Sequence, residues 1–165
     1  MSAVIFIMGV AGSGKTTIGK LLSQKTGVPF FDGDDFHSPA NREKMKAGKP
    51  LNDKDREQWL YQLNALAIDQ SKLKGAIIGC SALKEKYRTV LASGIQQPIW
   101  IFLNGTYNIV KERMEKRKHF MPVKLLRSQF DDLEIPSAAY MMDIKKEPGK
   151  IVEAIAAYVN NREQP

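Results

Sequence analysis

The stretch Gly9-Val10-Ala11-Gly12-Ser13-Gly14-Lys15-Thr16, "GVAGSGKT", matches the pattern G-x-x-x-x-G-K-[ST], and its flanks decide the fold. Before it, Ala3 to Met8 is an apolar run that reads as a central buried strand. After it, Lys15 to Thr26 is amphipathic, with Ile18, Leu21 and Leu22 on one face and Gly27 as its stop. A strand, a glycine-rich turn and a helix in that order make a phosphate cradle. The glycines let backbone N–H groups turn inward, and the helix N-terminus adds partial positive charge. In such a cradle the Lys15 ammonium neutralises the β- and γ-phosphates and the Thr16 hydroxyl holds Mg²⁺. The loop specifies a nucleoside triphosphate, not a reaction, because ATPases, GTPases and many kinases share it. A guanine-reading N-K-x-D is absent from the sequence, which argues against a GTP switch.

Beyond the loop, short apolar runs alternate with longer amphipathic ones, the pattern of a parallel sheet covered by helices on both faces. Val28 to Phe31, Ala76 to Cys80, Pro98 to Leu103 and, weakly, Tyr140 to Ile144 read as further strands. Helices are expected over Asn41 to Ala47, from Asn52 or Asp53 to about Lys72, and over Lys84 to Ala92. Others are expected over Thr106 to Lys116, from Lys124 to about Leu133, and over Lys150 to Asn160. Trp59, Leu63 and Leu66 recur at helical spacing, which core packing explains without a cofactor. The basic stretch "KRKHFMPVK" contains Pro122, has no clear periodicity and reads as a mobile loop. At 165 residues the chain predicts a single domain over 1–165, with a movable subregion at about 113–135.

Composition narrows the setting. The chain is 43% apolar and 26% charged, as in an ordinary soluble protein. No window approaches the roughly 20 uninterrupted apolar residues of a membrane span, and the first apolar run lacks a basic leader, so a cytoplasmic protein with no membrane partner is expected. The single cysteine, Cys80, cannot form an intrachain disulfide and reads as a buried core residue. A net charge of +7 raises the question of nucleic acid. The basic residues, however, are mixed with acids along helical segments and do not interleave with aromatics, so a solvated basic surface or a small-anion site is expected and nucleic acid is not.

The second strand is followed by "FFDGDDFH", Phe30 to His37. In a doubly wound sheet the loops at the carboxyl ends of the strands converge on one crevice, which sets Asp32 and Asp34 opposite the γ-phosphate. If the segment is extended, Asp32 and Asp34 share a face across Gly33 and Asp35 turns aside. One of the pair can take the proton of an attacking hydroxyl and the other can serve Mg²⁺; alternatively they cap the next helix. His37 can bond a substrate hydroxyl or local backbone, and Arg56 can bind a carboxylate through its planar fork or stay solvated.

Taken in order, "GVAGSGKT", "DGDDFH", "HSPANREKMKAGKPLNDKDREQWL", "CSALKEKYR" and "HFMPVKLLRSQFDDLEIP" resemble gluconokinase of the P-loop type over about residues 5 to 136. The resemblance implies an α/β P-loop kinase fold, an adenylate-kinase-like five-stranded parallel sheet with a mobile lid. It also implies ATP and Mg²⁺ as cofactors, D-gluconate as the acceptor, 6-phosphogluconate as product and a homodimer. It places Gly9, Val10, Ala11, Gly12, Ser13, Gly14, Lys15, Thr16 and Thr17 at the nucleotide, with Thr16 and Asp32 at the metal. Asp32, Asp34, His37, Arg56, Lys84, Arg88 and His119 fall around the sugar acid, and Arg113 and Arg117 at the phosphates. Lys15, Asp34 and Arg117 are the expected catalytic set. The sequence departs from the family pattern at Lys118, where Gly is common before the His-Phe pair, at Asp35 and at Gln58. The nearest rivals are a shikimate-type or other small-metabolite kinase, then a nucleotide kinase, and from another class an ATP-dependent nucleic-acid-binding protein.

Overall fold

A computed structural model describes residues 3–117 and 122–163. Five parallel strands lie in the order β2-β3-β1-β4-β5: β1 (Val4–Met8), β2 (Phe30–Asp32), β3 (Ala76–Gly79), β4 (Ile99–Asn104) and β5 (Tyr140–Asp143). All five expected strands are present. Central β1 is buried along its whole length, as a parallel strand covered on both faces must be. Its alternate side chains enter two cores. Ile5 and Ile7 pack with Ile18, Leu22 and Ile155, while Val4, Phe6 and Met8 pack with Trp59, Leu63 and Leu91.

The helices are α1 (Lys15–Thr26), α2 (Pro39–Lys46), α3 (Asp53–Ser71), α4 (Glu85–Ala92), α5 (Tyr107–Arg117), α6 (Leu126–Asp132) and α7 (Pro148–Glu163). Helix α1 ends where expected: Gly27 adopts a left-handed conformation (φ 75°) and its N–H donates to the Ser23 carbonyl. Helix α3 opens with a capping box, in which Asn52 and Asp55 each bond the other's backbone N–H. Among the described residues no helix is long and apolar enough to cross a membrane. Cys80 is buried and unpaired, as expected.

Two differences from the sequence-based expectation bear on the site. Strand β2 begins later than Val28, because pairing with β3 sets its register: Phe30 lies opposite Ile77 and Asp32 opposite Gly79. The segment after it is not extended. Gly33–Phe36 forms a 3₁₀ turn capped by Asp32, whose Oδ1 accepts the Asp34 N–H at 3.0 Å. Alternation therefore does not set the directions of Asp32 and Asp34; the turn does. Farther along, a 3₁₀ turn (Val123–Leu125) runs into α6, which is shorter than the helix expected from Lys124.

The turn sits against β3 so closely that only glycine fits at its start. A Cβ on Gly33 would lie 2.6 Å from the Gly79 carbonyl oxygen, 3.1 Å from Cys80 Cβ and 3.4 Å from Leu63. Because the nearest atom belongs to backbone, relief requires moving a strand end. Gly33→Ala is expected to cost about 1–3 kcal/mol and to lower turnover together with Tm, measured by thermal unfolding and steady-state assay.

Candidate active site

The carboxyl ends of β1, β2 and β3 open onto one cavity of about 190 Å³. Its wall includes Gly12, Gly14, Lys15, Thr16 and Thr17 on one side and Asp34, His37 and Arg56 on the other, with Arg113 and Arg117 at the α5 end. Phosphate loop, acidic turn and candidate carboxylate-binding arginine thus share a single space.

In the loop, the Lys15 Nζ donates to the Gly9 and Val10 carbonyls at 3.0 and 2.9 Å. Burial depresses the Lys15 ammonium below its ordinary pKa, opposed by the nearby Asp34 carboxylate. The Ala11 N–H donates to Gln129 Oε1 at 2.7 Å, tying the loop to α6. Val10 is buried in the main core and Ser13 in the loop, and Ser13 Oγ has no partner among the described residues. The Thr16 hydroxyl donates to Asp32 Oδ2 at 2.6 Å.

The three acids of the turn are separated by structure. Both Asp32 oxygens accept hydrogen bonds, one from Thr16 and one from the Asp34 N–H. Asp35 is exposed. Asp34 faces the cavity, and its carboxylate accepts no hydrogen bond among the described residues. Burial raises its pKa above the ordinary carboxylate value, with Lys15 pulling the other way and Asp32 adding to the rise.

His37 stacks on Trp59, ring centroids 4.5 Å apart and planes 13° from parallel. Its Nδ1 is buried and has no partner among the described residues. Burial first, then the charges of Arg56 and Arg42, depress its pKa to about 4, so the ring is neutral at pH 7. Arg56 is 7% exposed, donates to the Tyr87 hydroxyl at 3.1 Å and lies 3.9 Å from Asp132.

Other sequence-derived candidates lie elsewhere. Arg88 does not line the cavity. Its guanidinium, 5% exposed, donates to the Ala82, Leu83 and Glu134 carbonyls and to the Glu85 carboxylate, using every N–H direction within the protein. It braces the loop after β3, where Ala82 holds an unusual positive φ of 45°. Lys84 also lies off the cavity wall, 3.5 Å from Asp53 and 3.6 Å from Asp132. Arg113 lines the cavity while donating to the Ile144 carbonyl, and Arg117 lines it from an exposed position. His119 lies outside the described residues. The wall adds residues that sequence reasoning missed: Met45, Pro50, Leu51, Ser81, Met114, Leu125, Ser128 and Gln129. Gln129 carried no local signal, since its partner Ala11 is 118 residues away.

The His37 shift has a consequence for stability. Its pKa is lower folded than unfolded, so the unfolded chain binds the extra proton between about 6.5 and about 4. Stability is therefore expected to fall as pH drops through that window, by at most about 3 kcal/mol. Chemical denaturation at pH 7, 5.5 and 4.5 checks this, and His37→Phe, which keeps the stack, should flatten the dependence.

Comparison with known proteins agrees with this geometry. A family model described as Shikimate kinase matches residues 11–160. A probable gluconokinase of Xenopus tropicalis is 39% identical over 180 residues, covering 96% of this chain and 94% of its own. A sugar kinase from Janibacter sp. HTCC2649 superposes with a TM-score of 0.90 at 38% identity, covering 96% of this chain and 94% of the other. A gluconokinase from Sinorhizobium meliloti 1021 gives 0.83 at 32% identity, covering 99% and 98%.

Proposed function

Because the chain belongs to the gluconokinase family, within the wider group of P-loop kinases that the shikimate kinase model describes, we propose that it phosphorylates D-gluconate on the 6-hydroxyl with ATP. The products are 6-phospho-D-gluconate and ADP. The observation that carries the reading is the single cavity in which Lys15 and Thr16 face Asp34, His37 and Arg56. A shikimate-type kinase shares that frame, but identity over nearly the whole chain lies with gluconokinases.

An oxygen lone pair of the 6-hydroxyl attacks the γ-phosphorus while the bond to the bridging oxygen of the β-phosphate breaks, and ADP leaves with that electron pair. The hydroxyl proton passes to Asp34. Between the two candidate acids, Asp34 fits the base role better: both Asp32 oxygens are engaged, while the Asp34 carboxylate faces the cavity with a raised proton affinity. Lys15 neutralises the β- and γ-phosphates, and Arg117 and Arg113 add positive charge from α5. Arg56 takes the acceptor's carboxylate and the neutral His37 ring a hydroxyl. Since transition states of this type are loose, positioning contributes more than base strength.

Mg²⁺ fits the hard oxygens of Thr16 and Asp32, which already meet at 2.6 Å. When bound it would neutralise phosphate charge. No group of three or more His, Cys, Asp or Glu that could hold a metal occurs among the described residues, so these two oxygens would share the ion with the nucleotide. A lid over about 113–135, a homodimer and a cytoplasmic setting complete the reading by resemblance to the family.

Asp34→Asn is expected to lower kcat at least tenfold while ATP affinity stays within threefold. In the parent, kcat should fall as pH drops through the raised Asp34 pKa, since protonation removes the base, and stopped-time assays between pH 4.5 and 8 check the limb. Arg56→Ala should raise the gluconate KM at least tenfold and leave the ATP KM unchanged. ADP release with gluconate, shikimate, nucleoside monophosphates or single-stranded nucleic acid as sole acceptor tests the substrate; stimulation by nucleic acid and none by gluconate overturns the reading.

A further inference from the structure

Trp59 lies 26 residues from Gly33 and 22 from His37 in sequence, yet it touches both. Its indole is 2% exposed and belongs to the core on the α3 side of the sheet. Core packing explains the burial. It does not explain where the one polar atom points: Nε1–H donates to the Gly33 carbonyl at 2.7 Å.

That carbonyl belongs to the peptide unit joining Gly33 to Asp34. The N–H of the same unit donates to Asp32 Oδ1 at 3.0 Å. Both polar atoms of one rigid plane are therefore held, one by α3 and one by the end of β2. Fixing the plane sets the direction in which the Asp34 side chain leaves the backbone. The following peptide is held as well, since Arg42 donates to the Asp34 carbonyl at 3.0 Å. The face of the same indole carries the His37 ring, whose unpartnered Nδ1 is turned away from solvent beside the cavity.

We propose that Trp59 is a positioning residue for phosphoryl transfer, its N–H orienting Asp34 through the Gly33–Asp34 peptide and its ring face orienting His37. This rests on the reading that Asp34 takes the proton and His37 meets the acceptor. An error of about 1 Å in placing a base can cost on the order of a hundredfold in rate, so the two contacts act on the reaction without touching a reactant. They divide by role: the N–H governs turnover through Asp34, and the ring governs acceptor binding through His37.

Trp59→Phe keeps an aromatic face for His37 and deletes the N–H, and Trp59→Leu deletes both. Turnover is expressed per site able to bind a non-hydrolysable ATP analogue, which removes any effect of a smaller folded fraction. Trp59→Phe is expected to lower kcat at least fivefold, with the gluconate KM within threefold. Trp59→Leu should add at least a threefold rise in gluconate KM. In an Asp34→Asn background, Trp59→Phe should lower kcat by less than a further twofold, because its effect passes through Asp34. Should Trp59→Phe not fold, β-(3-benzothienyl)alanine at position 59 keeps the ring shape, removes only the N–H and must show the same loss.

A kcat per site within twofold of the parent in Trp59→Phe overturns the proposal. So does a full additional loss in the Asp34→Asn background, which would assign Trp59 a purely structural role. Asp34→Asn alone separates the two levels. If it is crippled and Trp59→Phe is not, only the Trp59 inference falls; if Asp34→Asn turns over normally, the base assignment falls and takes the inference with it.

Discussion

The close contact of two strand ends governs this site. Gly33 follows β2 and Gly79 ends β3; the missing side chain of Gly33 lets the acidic turn rest on the Gly79 carbonyl, and that of Gly79 leaves room for the Phe30 ring. A Cβ on Gly33 would collide with the Gly79 carbonyl oxygen at 2.6 Å, and one on Gly79 would press on the Phe30 ring at 3.2 Å. The parallel pairing of Asp32 with Gly79 fixes the register of this contact. The placing of Lys15 and Asp34 on one cavity wall thus follows from the ends of the sheet's strands, and the loops inherit it.

Two arginines with similar burial illustrate how burial alone misleads. Arg56 and Arg88 are 7% and 5% exposed. Arg88 spends all its donors on backbone carbonyls and one carboxylate around the loop after β3, so it stabilises that loop and offers nothing to a ligand. Among the described residues the Arg56 guanidinium makes one hydrogen bond, to Tyr87, and a longer contact to Asp132, and the residue borders the cavity. Spare donor capacity, and not charge or depth, separates an arginine that can receive a carboxylate from one that holds the fold together.

Much of this was legible from the sequence because the informative signals are local. The strand, glycine turn and helix around Gly9 to Thr16 lie within one continuous stretch, and each strand announced itself as an apolar run. Gly27 marked the end of α1 to the residue. What escaped was set by side-chain partners, most of them distant in sequence. The 3₁₀ turn at Gly33–Phe36 is fixed by an Asp32 cap and by Trp59 from α3, and neither influence shows in the hydrophobic pattern. Lys84 and Arg88 sit in a stretch that follows β3, as site residues do, yet their side chains turn to Asp53, Asp132 and local carbonyls. Trp59 read as core by spacing, and it is core; the direction of its N–H was beyond any periodicity.

The electrostatic shifts at the site share one sign. Burial depresses Lys15 and His37, raises Asp34 and pushes the Cys80 thiol up to about 12, so every shifted group around the loop is moved toward its neutral form. Such a wall penalises isolated charge, and its own members offset one another only in part: Asp34 opposes the shift at Lys15, and Lys15 opposes that at Asp34. An anionic phosphate chain entering beside Lys15 supplies the charge that the ammonium lacks and restores its preference for the protonated state. The same incoming charge raises the proton affinity of Asp34 further, which favours accepting a proton at the stage when the hydroxyl must lose one. The low-dielectric wall that makes the empty site costly to maintain is therefore what strengthens each of its interactions once the nucleotide is in place.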